Sequence, residues 1–325
     1  MLPVPRFGDG HRVLVTGGAG FVGSHLVDQL IARGCSVVVV DNFVTGSKEN
    51  VAHLLDGPRF TLVEADVSDG LPDHHSAVGR RFDAIMHLAS PASPTDFATL
   101  PIEILRVGSI ATLHLLDRAV TDGARFIMAS TSEAYGDPLV HPQPETYWGN
   151  VNPIGVRSVY DEGKRFSESA TMAYHRYRGL DAGIVRIFNT YGPRMRPDDG
   201  RAIPTFISQA LRGESITVHG TGGQTRSICY VTDLVAGIVA LLDSTEIGPI
   251  NCGTEHELSM RDLAELIIEL VGSSSTIDFV GRSSDDPEMR RPNLTLARTL
   301  LGYQPSVEPS DGLARTIAYF RQRLG

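Results

Sequence analysis

Apolar residues come in short unbroken runs through the first half of the chain. Residues 13–15, 37–40, 60–63, 84–88, 125–128 and 184–187 read as strands, rich in Val, Ile and Leu and free of polar alternation. Longer mixed stretches at about 21–33, 101–120 and 160–178 read as helices. Strands apolar on both faces, alternating with helices, indicate a parallel sheet covered on both sides. The expected fold class is α/β, a Rossmann-type doubly wound parallel sheet with a smaller C-terminal lobe.

After residue 189 the texture changes. Prolines, glycines and arginines gather in 191–201 and 285–292, and helices are expected at 203–212, 232–243, 259–271 and 310–323. This divides the chain into residues 1–188, carrying the sheet, and 189–325, mainly a lobe over its mouth. Segments near 225–252 are expected to return to the sheet. Residues 1–10 read as a loose lead-in without the features of a signal peptide. No apolar run approaches the ~20 residues needed to span a bilayer.

The 325 residues are 42% apolar and 21% charged, ample for a core. The net charge of -9 argues against nucleic acid or a membrane surface as partner. Cys35, Cys229 and Cys252 have neither metal spacing nor a disulfide framework, so no metal is expected and a reducing cytoplasm suits them.

The first strand runs into Gly17-Gly18-Ala19-Gly20-Phe21-Val22-Gly23. Gly17, Gly20 and Gly23 allow a tight turn and a close approach to a pyrophosphate, and the helix opened by Phe21 and Val22 offers free amides to it. The second strand ends at Asp41, placed for a ribose 2′-hydroxyl, which favours NAD over NADP. Asn42, Phe43, Thr45 and Gly46 follow in the same loop. Asp66 and Val67 follow the third strand, and Leu88, Ala89 and Ser90 the fourth; all are expected around the cofactor at the carboxyl edge.

Only two of the 29 basic residues are lysines, Lys48 and Lys164. Lys164 lies four residues after Tyr160, one helical turn along the same face. An ammonium there is expected to draw the phenol down toward a useful base, and a compact lysine can also reach a sugar hydroxyl. Thr131 ends the fifth strand at the same edge, where a hydroxyl can relay a proton.

These blocks resemble the extended short-chain dehydrogenases that act on nucleotide sugars, and within them the UDP-glucuronate decarboxylase family. The resemblance rests on the glycine loop, Asp41-Asn42-Phe43, His87-Leu88-Ala89-Ser90-Pro91-Ala92-Ser93-Pro94 and Ser130-Thr131-Ser132-Glu133. It continues in Tyr160-Asp161-Glu162-Gly163-Lys164-Arg165, Gly192-Pro193-Arg194-Met195, Gln224-Thr225-Arg226 and Arg290-Arg291-Pro292. It implies an NAD-dependent carboxy-lyase that turns UDP-glucuronate into UDP-xylose through a 4-keto intermediate with no net redox. Thr131, Tyr160 and Lys164 would oxidise, Ser132 and Glu133 would orient the sugar acid, and Arg290 or its water would protonate C5. The sugar nucleotide would meet Pro91, Asn189, Arg194, Arg201, Thr217, His219, Gln224, Arg226 and Arg290. A homodimer through the helices at 101–120 and 160–178 is also implied. Ser132 stands where related dehydratases carry an acidic Asp, and Glu133 where simple 4-epimerases have small residues. Gly108, His219 and Ala134 replace the family's usual Asn, Tyr and Val. Arg196 and Arg291 read as background cations. A hexuronate 4-epimerase, a decarboxylase of another nucleotide hexuronate, and a non-enzymatic NAD-binding regulator remain open.

Overall fold

The computed structural model describes residues 5–281 and 289–324. Residues 1–4 of the expected lead-in and 285–288 of the arginine- and proline-rich segment lie outside the described residues. Seven strands form one parallel sheet: β1 (Arg12–Thr16), β2 (Ser36–Asp41), β3 (Phe60–Glu64), β4 (Ala84–His87), β5 (Arg125–Thr131), β6 (Ala182–Ile187) and β7 (Ile250–Cys252). Their order is β7-β6-β5-β4-β1-β2-β3, the doubly wound arrangement. The order reverses between β1 and β4, which opens a crevice at their carboxyl ends.

The unbroken apolar runs arise because each strand is covered on both faces. Val13 and Val15 of β1 join one core with Leu26, Leu30, Leu234 and Ile238, from helices Phe21–Ala32 and Val231–Asp243. Leu14, between them, joins the other core with Leu115, Leu116, Phe126 and Met128. The side-chain period of two thus splits one strand between two layers. All seven residues of β5 are buried, and its end delivers Thr131 to the crevice.

The helix expected over 101–120 is broken in register. It runs as Pro101–Arg106, a π turn at Val107–Ala111, and Thr112–Asp122. Inside that turn Gly108 lies against helix Ser158–Arg178. A Cβ on Gly108 would stand 3.1 Å from the backbone of Gly163. The Ser167 hydroxyl donates to the Gly108 carbonyl at 2.6 Å, pinning the two helices together. An Asn in place of Gly108 would require the Gly163 backbone to give way by a few tenths of an ångström.

Beyond residue 189 the chain builds small sheets. Thr225–Ser227 pairs with Glu257–Ser259 and Met289–Arg290, and Ile216–His219 pairs with Ile277–Val280. Helices Ala202–Arg212, Met260–Val271 and Pro309–Leu324 pack around them. The return to the main sheet starts at helix Val231–Asp243 and ends in β7, a strand absent from the sequence reading. Thr225–Ser227, expected to return with it, stays in the lobe.

Candidate active site

A cleft of about 790 Å³ lies over the carboxyl ends of the strands, floored by the sheet and roofed by the lobe. At one end is the glycine loop. Gly17 has φ +72°, and a Cβ there would come 2.7 Å from the Ala89 backbone. A Cβ on Gly23 would come 2.1 Å from the Gly17 carbonyl. Only glycine lets the turn, the helix start and the β4 loop meet this closely. Helix Phe21–Ala32 begins at Gly20 with no side-chain cap, and Gly20, Phe21, Val22 and Gly23 line the cleft.

Asp41 sits at the rim, and its two oxygens accept from the Ala19 and Phe43 amides, each at 2.9 Å. Burial pushes its carboxyl up, against those two hydrogen bonds. Each oxygen keeps a lone pair for a ribose hydroxyl. Asn42, Thr45, Gly46, Asp66, Val67, Leu88, Ala89 and Ser90 complete this end. Phe43 corrects the expectation: its ring leaves the cleft and lies under the Lys48 ammonium at 4.9 Å, because the residue turns at φ 57° to present its amide to Asp41. The uncapped helix, the glycine cradle and the carboxylate at the rim fit NAD.

At the other end Thr131, Ser132, Glu133, Tyr160, Lys164 and Arg290 line one wall. The Thr131 side chain acts on the Tyr160 phenol and lowers it, while its hydroxyl oxygen accepts from the Glu133 amide at 3.1 Å. Lys164 does not draw the phenol down as expected. Burial pushes Tyr160 up to about 12, and Thr131 and Arg201 only partly offset it. The Lys164 Nζ donates instead to the Ala129 carbonyl at 2.9 Å. Burial holds Lys164 itself down at about 8, with Glu168, one turn along, opposing. Phe97 stacks on the Tyr160 ring at 5.0 Å between centroids and fixes its plane.

Behind the tyrosine stands an ionic clamp. Arg290 grips both oxygens of Glu133 through its two terminal nitrogens, and Arg157 Nη2 reaches Glu133 at 2.7 Å. Burial would raise the Glu133 carboxyl, but the two guanidiniums outweigh it and hold it well below the usual range. Asp161 lies in the same field. Burial and Glu133 push its carboxyl up to about 7, against Arg157 and Arg290.

The residues expected to meet the sugar nucleotide all line the cleft. Pro91 and Asn189 face it directly, and the Asn189 Nδ2 is buried without a partner among the described residues. Arg194 pairs with Asp28 at 2.8 Å and Arg201 with Asp199 at 2.6 Å. Arg226 Nη1 donates to the Thr225 carbonyl at 2.8 Å. Gln209 holds Thr217 through two 3.0 Å hydrogen bonds. Gln224 donates to the His219 carbonyl, and the His219 ring meets the Gly281 carbonyl at 3.0 Å.

Sequence reasoning missed Arg157, Phe97 and Arg196. Arg157 precedes Tyr160 by three residues, one turn away at the helix start, and that spacing was a readable signal. Phe97 comes from helix Pro94–Thr99, whose Ser93–Asp96 capping box and first-position Pro94 were the readable signal. Arg196, read as background, lines the cleft and pairs with Asp96 at 2.9 Å. Arg291 is outside the cleft, beside Glu257 at 3.6 Å. Among the described residues no group of His, Cys, Asp and Glu could hold a metal.

Residues 13–253 match the NAD dependent epimerase/dehydratase family. The chain is 50% identical over 313 residues to UDP-glucuronic acid decarboxylase 1 of Arabidopsis thaliana, covering 96% of this chain and 70% of that one. It is 50% identical over 316 residues to UDP-glucuronic acid decarboxylase 1 of Xenopus tropicalis, covering 97% and 73%. The UDP-glucuronic acid 4-epimerase of Bacillus cereus, solved with UDP-glucuronic acid and NAD, superposes with a TM-score of 0.87 at 29% identity, covering 96% and 99%. The UDP-glucose 4-epimerase of Thermotoga maritima, solved with UDP-glucose, superposes with a TM-score of 0.89 at 30% identity, covering 97% and 100%.

Proposed function

The chain belongs to the NAD dependent epimerase/dehydratase family, and from that premise we propose that it is an NAD-dependent UDP-glucuronate decarboxylase yielding UDP-xylose. The observation that carries this reading is the Glu133–Arg157–Arg290 clamp beside Tyr160. A neutral hexose needs no such cluster; a sugar acid does. Relatives at about half identity over nearly the whole chain bear the same activity in their names.

Gly17, Gly20, Phe21, Val22, Gly23 and Asp41 would hold NAD, which would supply a two-electron acceptor able to take up a hydride and give it back. Tyr160, in its phenolate form, accepts the C4 hydroxyl proton, and the Thr131 side chain beside it favours that form. Lys164, anchored on Ala129, would hold the cofactor's ribose. Once C4 is a ketone the sugar is a β-keto acid. Arg157 and Arg290 seat its carboxylate next to ionised Glu133, and that like-charge contact is relieved when neutral CO₂ leaves. The protonated Tyr160 then stabilises the oxygen at C4. Ser132 and Glu133 keep the ring in place while C5 regains a proton from Arg290 or water beside it. Arg194, Arg201 and Arg226 hold the diphosphate end, with Thr217, His219 and Gln224 at the nucleoside.

We place the protein in a reducing compartment, the cytoplasm, since its three cysteines are free and buried. No helix among the described residues is long and apolar enough to cross a membrane. Two copies would pair through helices Pro101–Arg106, Thr112–Asp122 and Ser158–Arg178, which expose Ile102, Leu113, Phe166 and Tyr177. Purified protein incubated with UDP-glucuronate and NAD should release CO₂ and a UDP-pentose, followed by mass. A product that retains its carboxylate would assign a 4-epimerase instead.

A further inference from the structure

Asp161 takes no part in the steps above, yet it stands among the groups that make the clamp. It follows Tyr160, is 5% exposed, and does not line the cleft. Its Oδ1 is buried with no hydrogen-bond partner among the described residues. An ionised carboxylate with an orphaned buried oxygen carries a heavy desolvation cost, and a neutral carboxylic acid avoids most of it. The geometry therefore favours the protonated form, and the upward push from burial and Glu133 agrees.

The charged groups that bear on Asp161 come from three segments. Glu133 is supplied by the turn after β5 and Arg290 by the strand Met289–Arg290. Arg157 and Glu162 flank it on its own segment, and Glu162 is paired at 3.6 Å with Arg165. Burial pushes the Tyr160 phenol up, and Arg201, paired with Asp199, lowers it from the lobe. Glu103, on the helix packed against Ser158–Arg178, also borders the cleft. Two guanidiniums against one carboxylate leave the clamp with one net positive charge when Asp161 is neutral. Ionised Asp161 cancels that charge.

Resting on the decarboxylase reading, we propose that Asp161 is a positioning residue that sets the charge of the carboxylate pocket: protonated, it leaves Glu133, Arg157 and Arg290 with the net positive charge that draws the hexuronate's carboxylate. Substrate binding at alkaline pH then takes up a proton at Asp161, since an incoming carboxylate adds a further like charge. A sugar carboxylate and a diphosphate diester stay ionised across this range, so the substrate itself adds no titration there.

The test compares the NAD-loaded enzyme with Asp161→Asn, which is isosteric and permanently neutral. KM for UDP-glucuronate should rise about tenfold from about pH 6 to about pH 8.5 in the unsubstituted enzyme, the size of one unit of coupling between the charges. Asp161→Asn should hold the low-pH KM throughout. The inhibition constant of UDP-xylose, which lacks the carboxylate, should stay flat in both. Titration of Lys164 falls in the same range but acts on kcat and is shared by the two enzymes. A flat KM in the unsubstituted enzyme, or the same KM slope in Asp161→Asn, overturns the proposal. Absence of CO₂ at every pH overturns the decarboxylase reading instead.

Discussion

Lys164 Nζ lies 2.9 Å from the Ala129 carbonyl oxygen, tying helix Ser158–Arg178 to the end of β5. The ammonium is thereby held at the cleft wall, beside the Tyr160 ring at 5.7 Å from its centroid. A buried lysine near 8 is charged at neutral pH and loses its proton as pH rises through that value. Turnover should therefore fall on the alkaline side about that midpoint, read as kcat against pH. Lys164→Met should lose nearly all turnover. Its Tm without cofactor should be unchanged or higher, because the folded state disfavours the charged form it removes. A Tm several degrees lower would show that the Ala129 contact, not the charge, is what the lysine contributes.

Tyr160→Phe removes only the transferable proton. The loss in turnover should be on the order of 100- to 10 000-fold, with NAD affinity nearly intact by calorimetry. The Phe97 stack should survive, since both rings remain. Phe97→Ala should instead lower kcat while the phenol is still present, and cost about 3 kcal/mol of stability because the ring is buried. Equal kcat in Phe97→Ala and the parent would mean that Tyr160 needs no support from that side.

Arg290 and Arg226 are expected to separate by function. Arg290→Ala leaves Glu133 buried against Arg157 alone, so the clamp loses half of its positive charge. CO₂ release should fall far more than UDP affinity. Arg226→Ala should do the reverse, weakening UDP binding about tenfold through loss of one charge-assisted contact. Unchanged UDP affinity in Arg226→Ala, measured by calorimetry, would take that residue off the nucleotide.

The parallel sheet was legible because every central strand is an apolar run covered on both faces, and a run such as 37–40 admits no other reading. The cofactor end was legible because glycine spacing is a backbone requirement written directly in sequence, as the contact of Gly17 with Ala89 shows. β7 was hidden: three residues are too short a run to stand out, and they become a strand only by pairing with β6. The π turn was hidden because its extra residue interrupts a helix without changing composition. The Tyr160 environment was misjudged for a different reason. Spacing brings Lys164 near, but burial is a property of the folded surroundings, and here it outweighs what Thr131 and Arg201 do to lower the phenol. Phe97 and Arg157 enter the site by tertiary contact, the first from a six-residue helix marked only by its Ser93–Asp96 capping box.

Asp41 gives the last prediction, because it serves the cofactor and the loop together. Its two oxygens satisfy the amides of Ala19, inside the glycine turn, and Phe43, at the start of the following loop. Asp41→Ala would strand both amides at a cost of ~1–3 kcal/mol each and loosen the cradle that Gly17 and Gly20 form. NAD affinity should then drop by more than the loss of one ribose contact explains. In the unsubstituted protein the carboxylate repels a 2′-phosphate, so calorimetry should give clear binding of NAD and weak binding of NADP. The bound cofactor should turn over many times: hydride leaves C4 and returns to C4, so UDP-pentose should accumulate far beyond the NAD present, with at most a small transient at the NADH absorbance band. NADH building up mole for mole with sugar converted would mark a net dehydrogenase. NADP binding as tightly as NAD would mean that Asp41 supports the loop alone.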